Sequence, residues 1–225
     1  MNLYRRLMGH TDHKAGGCLA PKPTSRKPIS YAILMPSKLV LPAELSYIRE
    51  IRPRENQGNV GACAAFATCA ILQQTSWRDS GVPVDYKEIP LYNRARVDDG
   101  LDDANEGTTL IAAVAAAETL KYCSYYESYE VKTRDELRFA VWQNRSCLVG
   151  LRITDAWNRV DSKGLIPDGG TPIGGHAIVA VGYTSYGPVF ANSWGEGWGL
   201  FGFGQLSWES YELQLIQALA VRFIL

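Results

Sequence analysis

The sequence predicts an α+β fold of two lobes, a helical lobe over about residues 63–130 and a β-barrel-like lobe over about 131–225 joined by the segment near 40–55, with a cleft between them. Three observations carry this expectation. Alanine-rich stretches with helical spacing and no internal proline fill the front of the chain. After Cys147 the pattern changes to short apolar runs separated by glycine-rich turns. The third observation is chemical: Cys63 stands where a glycine-punctuated turn meets a helix, and His176 opens one of the strands.

The first helix is expected from Ala64 to about Arg78, in AAFATCAILQQTSWR, with Phe66, Ala70, Ile71 and Trp77 on its apolar face. A second fits TTLIAAVAAAETLKYC, residues 108–123, where Thr108 or Thr109 supplies the cap and the alanines favour helix. A third begins at Thr133, because TRDELRFAVWQ sets a capping threonine three residues before Glu136. Strands are expected in CLVGLRI (147–153), HAIVAVGY (176–183), GPVFANS (187–193) and LFGFGQLS (200–207). The acidic run VDDGLDDANEG (97–107) lacks the spacing of an EF-hand loop and is expected to be a solvated connection between helices.

Residues 1–38 stand apart as a leader. They hold seven Lys or Arg against one acidic residue, and Pro21, Pro23, Pro28 and Pro36 impose extended backbone. The expected form is an irregular arm that lies over the surface, shields part of the cleft, or docks a partner protein. The catalytic domain would then be 39–225.

Composition narrows the partners. With 46% hydrophobic and 20% charged residues the chain of 225 residues is ordinary for a globular protein with an ample core. Lys plus Arg and Asp plus Glu balance at 23 each, so no global field draws in nucleic acid or an anionic membrane. No apolar run is long enough to span a bilayer. Five cysteines is an odd number and the N-terminus has no apolar run of a secretory signal, so free thiols in a reducing, cytoplasm-like compartment are expected. Ala15-Gly16-Gly17-Cys18 has the look of a lipoprotein cleavage site, but no apolar segment precedes it.

A thiol at a helix N-terminus faces unpaired N–H groups and the positive end of the macrodipole, both of which favour thiolate. Cys63 fits that description, although a small buried core thiol fits the same stretch. Three histidines are present and two of them, His10 and His13, lie in the leader, which leaves His176 as the base available to Cys63. Its strand turns back near Thr184–Gly187 and returns through PVFANS. A hairpin of this length brings Asn192 into the neighbourhood of His176, within the slack that a bulge allows, where an amide oxygen accepts from the imidazole and fixes its orientation. Trp194 is placed to cover that bond. Cys69 and Cys147 read as core, Cys123 as the end of a helix, and Cys18 as an exposed leader thiol.

Three segments together resemble the papain-like cysteine peptidases, the C1 family. Gln57-Gly58 through Gly61-Ala62-Cys63, followed by Ala65-Phe66, resembles the family's nucleophile block. Gly175-His176-Ala177 with Val181-Gly182-Tyr183 resembles its histidine strand, and Asn192-Ser193-Trp194-Gly195, then Trp198-Gly199 and Gly202-Phe203, its asparagine signature. The likeness covers about residues 41–210. It implies Cys63 as nucleophile, His176 as general acid and base, Asn192 as orienting group, and Gln57 with the Cys63 N–H as oxyanion donors. It also implies a resting thiolate–imidazolium pair and no metal or organic cofactor. Val60 replaces a cysteine that forms a disulfide in secreted members, Ala64 replaces the usual Trp after the nucleophile, and Gly175 stands where Asp or Asn is common. Disulfide-poor members of this size are typical of bacteria and viruses, which makes a virion-associated location a second expectation. The activity implied is hydrolysis of peptide bonds in a polypeptide substrate through a thioester. A catalytically silent binding module of the same fold, or acyl transfer or cell-wall peptide cleavage by the same thiol, are the alternatives.

Overall fold

The computed structural model describes residues 17–21, 28–51, 55–101 and 106–225. His10, His13, Pro23 and residues 102–105 of the acidic run lie outside them.

The chain order begins with two short strands from the leader, β1 (Cys18–Leu19) and β2 (Ile29–Ser30), and continues through β3 (Leu45–Ser46). Helices α1 (Cys63–Ser80) and α2 (Glu88–Asp98), strand β4 (Thr108–Thr109) and helix α3 (Leu110–Thr119) follow. The remainder is β5 (Tyr125–Val131), α4 (Arg134–Asn144), β6 (Cys147–Thr154), β7 (Pro172–Tyr183), β8 (Pro188–Ala191), β9 (Phe203–Gln205), α5 (Trp208–Gln214) and β10 (Leu215–Ile224). The main sheet runs β2-β5-β10-β6-β7-β8-β9, with β3 added to β7, and no pairing among the described residues joins β2 to β9. The sheet is open where a barrel-like lobe was expected.

Period-two alternation divides the interior. Ala177, Val179 and Val181 of β7 and Leu219, Val221 and Phe223 of β10 face the core shared with α1, α2 and α3. Their neighbours Ile178, Ala180, Ala218 and Ala220 face the second core, under α4 and α5. Because both faces are covered, the central strands read as continuous apolar runs although they pair antiparallel. That is why LIQALAVRFI gives no clear strand signal: an apolar run without alternation does not distinguish strand from helix.

Helix starts follow their caps. Thr109 Oγ1 accepts from Ala112 N, and Thr133 Oγ1 accepts from Glu136 N at 3.2 Å. Glu136 reaches back to Lys132 N, one residue earlier than in the standard capping box. In α1 the expected apolar face is only partly right, since Trp77 is exposed while the alanine-rich first turns are buried on nearly all sides. Small side chains there let the helix approach β7 closely. Helix α2 has no signal in the sequence: Pro90 falls in its first turn, where it is tolerated, and only Leu91, Tyr92 and Ala95 turn inward.

Asp99 is buried, not solvated as the acidic run suggested. Its carboxylate accepts from Thr108 Oγ1 at 2.5 Å, Thr109 N at 2.7 Å and Thr109 Oγ1 at 3.0 Å, fixing β4 and the start of α3.

The leader also departs from the sequence expectation, because its described parts are built into the fold. β2 pairs parallel with β5, and Tyr31 is 2% exposed with its ring 5.2 Å from Phe139 and 5.8 Å from Tyr129. An arm that packs an aromatic ring into the second core cannot be removed freely. Deleting residues 1–36 is therefore expected to cost about 3 kcal/mol or more, the scale of losing a buried aromatic side chain, whereas deleting 1–20 spares Tyr31. Urea unfolding of the two truncations checks this; equal midpoints would show that Tyr31 contributes nothing.

Candidate active site

Cys63 begins α1 after a turn made by Gln57, Gly58 and Gly61. Gly58 has φ +57°, a value glycine adopts without strain, and its N–H donates to Asn56 Oδ1 at 2.9 Å. The helix has Ala62 as its N-cap with no side-chain acceptor, and no acidic residue in its first turn. Among the described residues no capping or acidic side chain of the first turn competes with the Cys63 sulfur for the first N–H groups of the helix, although Ala65 N–H donates to Ala62 O at 2.9 Å. The backbone amides of Ala177, Ala64 and Cys63 itself are placed to favour negative charge on the sulfur. Ala177 is the residue after His176, so the thiol rests against the histidine strand.

His176 is fully buried. Its Nε2 lies 2.7 Å from Asn192 Oδ1, which also accepts from Ser193 N at 2.8 Å. An amide oxygen only accepts, so Nε2 carries the hydrogen and the neutral ring keeps its lone pair on Nδ1. Trp194 lies over the imidazole with centroids 4.8 Å apart, and Trp157 meets it edge-on at 6.1 Å. Trp198 stacks on Trp157 at 5.8 Å and donates its indole N–H to the Trp157 carbonyl.

Asn192 reaches this face through a bulge in β7. The turn end pairs Tyr183 with Pro188 and Gly182 with Val189, but the register then shifts so that Ala180 faces Phe190 and Val179 faces Ala191. Continuing that register sets Asn192 opposite Ile178, on the same face as His176. An unshifted ladder would set it opposite Val179 and send its side chain to the other face.

Gln57 is tied to the same corner. Its backbone N–H donates to Ser193 O at 2.9 Å, and its Oε1 accepts from Ser193 Oγ at 2.5 Å. Its Nε2 donates to Val60 O at 2.9 Å, closing the turn before Cys63. Asn56 and Trp194 form an antiparallel bridge, and Gly195 N donates to Glu55 O at 3.1 Å. Thus the segments around Gln57 and Asn192 are clamped together, with Ser193 bonded to both. Ser193 and Trp157 were not singled out as site residues from the sequence; Ser193 lies inside the Asn-Ser-Trp-Gly signature, while nothing in the sequence ties Trp157 to His176.

The leader enters the cleft. Gly17 O accepts from Thr108 N at 3.0 Å and β1 pairs parallel with β4, Cys18 opposite Thr108. A Cβ on Gly175 would collide with the Cys18 carbonyl oxygen, so the Gly17–Cys18 backbone passes between Gly61 and Gly107 on one wall and Gly175 on the other. Cys18 is buried at 4% exposure, not the exposed thiol the sequence suggested, and burial pushes its pKa up.

Cys63 is covered as well. Burial pushes its thiol up to about 12 against the three backbone amides that favour thiolate. Burial in this arrangement works against the resting thiolate expected from the sequence: the helix N-terminus is where it should be, but desolvation opposes it. Cys69 and Cys147 are buried core thiols as expected. Cys123 lies beyond the end of α3, buried before β5, with its pKa raised to about 11.

Neither a protein-family model nor a curated protein matches this sequence. Solved structures do. Xylellain, a cysteine protease from Xylella fastidiosa, superposes with a TM-score of 0.73 at 18% identity over 94% of this chain and 97% of that one. The chain has a papain-like fold. Digestive procathepsin L2 from Tenebrio molitor larval midgut gives a TM-score of 0.70 at 17% identity, covering 100% of this chain and 83% of that one. Procathepsin B S9 from Trypanosoma congolense gives 0.69 at 14%, covering 93% and 86%.

Shielding of the sulfur gives a measurable order of reactivity. In the intact chain iodoacetamide at pH 5 should leave Cys63 unlabelled, because a thiol raised to about 12 is protonated and covered. Deleting residues 1–20 wets the sulfur, removes the desolvation that raises it, and leaves the helix amides that lower it. Labelling at pH 5 should then concentrate on Cys63, read by peptide mass mapping. Equal labelling of Cys63 in the two chains would show that β1 does not cover it.

Proposed function

We propose that the protein is a cysteine peptidase that cleaves peptide bonds through a thioester on Cys63. The observation that carries this reading is the His176–Asn192 bond at 2.7 Å, set beside a helix-N-terminal thiol that touches the next residue of the histidine strand.

With Nε2–H held by Asn192, Nδ1 takes the Cys63 proton as sulfur attacks the substrate carbonyl. Charge on the carbonyl oxygen is met by the Cys63 backbone N–H and by Gln57. The Gln57 amide is preset for this, since Ser193 anchors its oxygen end and Val60 O uses one of its two N–H donors, leaving the other. The imidazolium protonates the amine nitrogen as the C–N bond breaks; water then attacks the thioester carbonyl while His176 Nδ1 takes its proton, and the C–S bond breaks, releasing the acid and returning that proton to the Cys63 sulfur. Trp194 and Trp157 exclude water from the imidazole–amide bond.

Within this reading the chain is a compact, disulfide-poor enzyme of the C1 type. Its five cysteines are free, Val60 replaces the disulfide cysteine, and a reducing compartment suits both. Polypeptide is the proposed substrate.

Replacing His176 with Ala should lower kcat by at least 10² to 10⁴, the range for removing a positioned base. Asn192→Ala should cost less and leave a residual rate, because the base remains while its tautomer is no longer selected. Initial rates on casein-derived peptides, with peptidoglycan stem peptides assayed separately, check both. Small, equal effects of the two substitutions would remove the triad, and turnover of stem peptides alone would move the substrate to the cell wall.

A further inference from the structure

Where the leader passes the sulfur, there is room for hydrogen and nothing larger. A Cβ on Gly17 would lie 2.6 Å from the Gly61 carbonyl oxygen and 2.8 Å from Cys63 Sγ. Real Cβ atoms do not approach that closely, and neither obstacle swings away: one is backbone in the turn before α1, the other is the reacting atom. On the same wall a Cβ on Gly107 would meet Gly17 O at 2.6 Å, so the space over Gly107 too is filled by the passing chain.

The neighbouring position is also restricted. A Cβ on Gly150 would lie 2.8 Å from Cys18 Sγ, and the Leu110 side chain closes the same pocket. The Cys18 side chain therefore ends against the floor of β6, and a longer one would strike it.

From this geometry we infer that the substrates are extended chains with glycine at the position facing Cys63 and a small residue beside it, over Gly150. The inference rests on the peptidase reading and adds a substrate class to it. Backbone pairing comes from β4, whose Thr108 N–H is already used by the leader in the way an added strand uses a sheet edge. Side-chain choice comes from walls made of Gly61, Gly107, Gly150 and the sulfur. The leader stretch Gly17-Cys18-Leu19 is then a resident copy of what the cleft accepts.

The test uses the full chain and its Gly17→Ala variant, with a matching melting temperature confirming that the variant folds. The variant's leader should no longer seat, and Cys63 should be alkylated by iodoacetamide at least tenfold faster than in the unaltered chain. The capped peptides Ala-Gly-Gly-Ser-Leu and Ala-Gly-Ala-Ser-Leu are then added to the variant. The first should slow alkylation and be cleaved with at least tenfold higher kcat/KM; the second should do neither. Unchanged alkylation on Gly17→Ala, equal effects of the two peptides, or protection by neither overturns the glycine requirement. Protection by the glycine peptide without cleavage keeps the requirement and removes the peptidase reading, so the two fail separately.

Discussion

The site depends on one extra residue in β7. The register shift between Ala180 and Gly182 turns the far half of the β7–β8 ladder by one residue, and with it the face on which Asn192 emerges. Everything chemical at His176 follows from that face. Asn192 Oδ1 meets Nε2, the tautomer is selected, and Ser193, next in the chain, is brought to Gln57. The bulge also lies where a shift costs least, because Gly182 packs without a side chain against Leu45 and Ser46 of β3. A straight hairpin of the same sequence would keep its hydrogen bonds and lose the site.

Two opposed effects meet at Cys63. The bare N-terminus of α1 and three backbone amides favour negative sulfur, while burial under Gly17 and Cys18 disfavours it. In a dry interior the cost of an unsolvated charge exceeds what a few dipoles return. The balance reverses when water or a polar substrate replaces the leader, since the helix and the amides stay in place. The same atoms thus favour a protonated thiol with the leader seated and favour thiolate without it. No rearrangement of His176 or Asn192 is needed, because neither touches the leader through the bond that orients the ring.

Local chemistry was legible in the sequence and long-range packing was not. Thr109 and Thr133 were readable as caps because a cap is a relation within a few residues. The nearness of Asn192 to His176 was readable because each sits in a short segment whose glycines and tryptophans mark backbone approach or shielding. By contrast, β10 lies at the centre of the sheet and gave no sign, since burial on both faces erases alternation. Tyr31 looked like part of a loose arm because its partners, Tyr129 and Phe139, are about a hundred residues away. Trp157 was invisible for the same reason. The thiol's state could not be read either: helix position is written in the sequence around Cys63, but its burial is set by Gly17, forty-six residues earlier.

The way the leader is held bears on how the cleft is emptied. Strand β1 is two residues long and pairs with a β4 equally short, so few hydrogen bonds hold it, each worth about 1 kcal/mol net. What favours it over an incoming chain is its tether to β2 and Tyr31, which anchor the following segment in the second core. A tethered segment competes as if present at roughly millimolar concentration. A free polypeptide that offered only the same glycine contacts would lose at ordinary concentrations. Substrates must therefore add contacts the leader lacks, beyond the narrow passage at Gly61 and Gly107, and those additional contacts are where discrimination among glycine-bearing chains must lie.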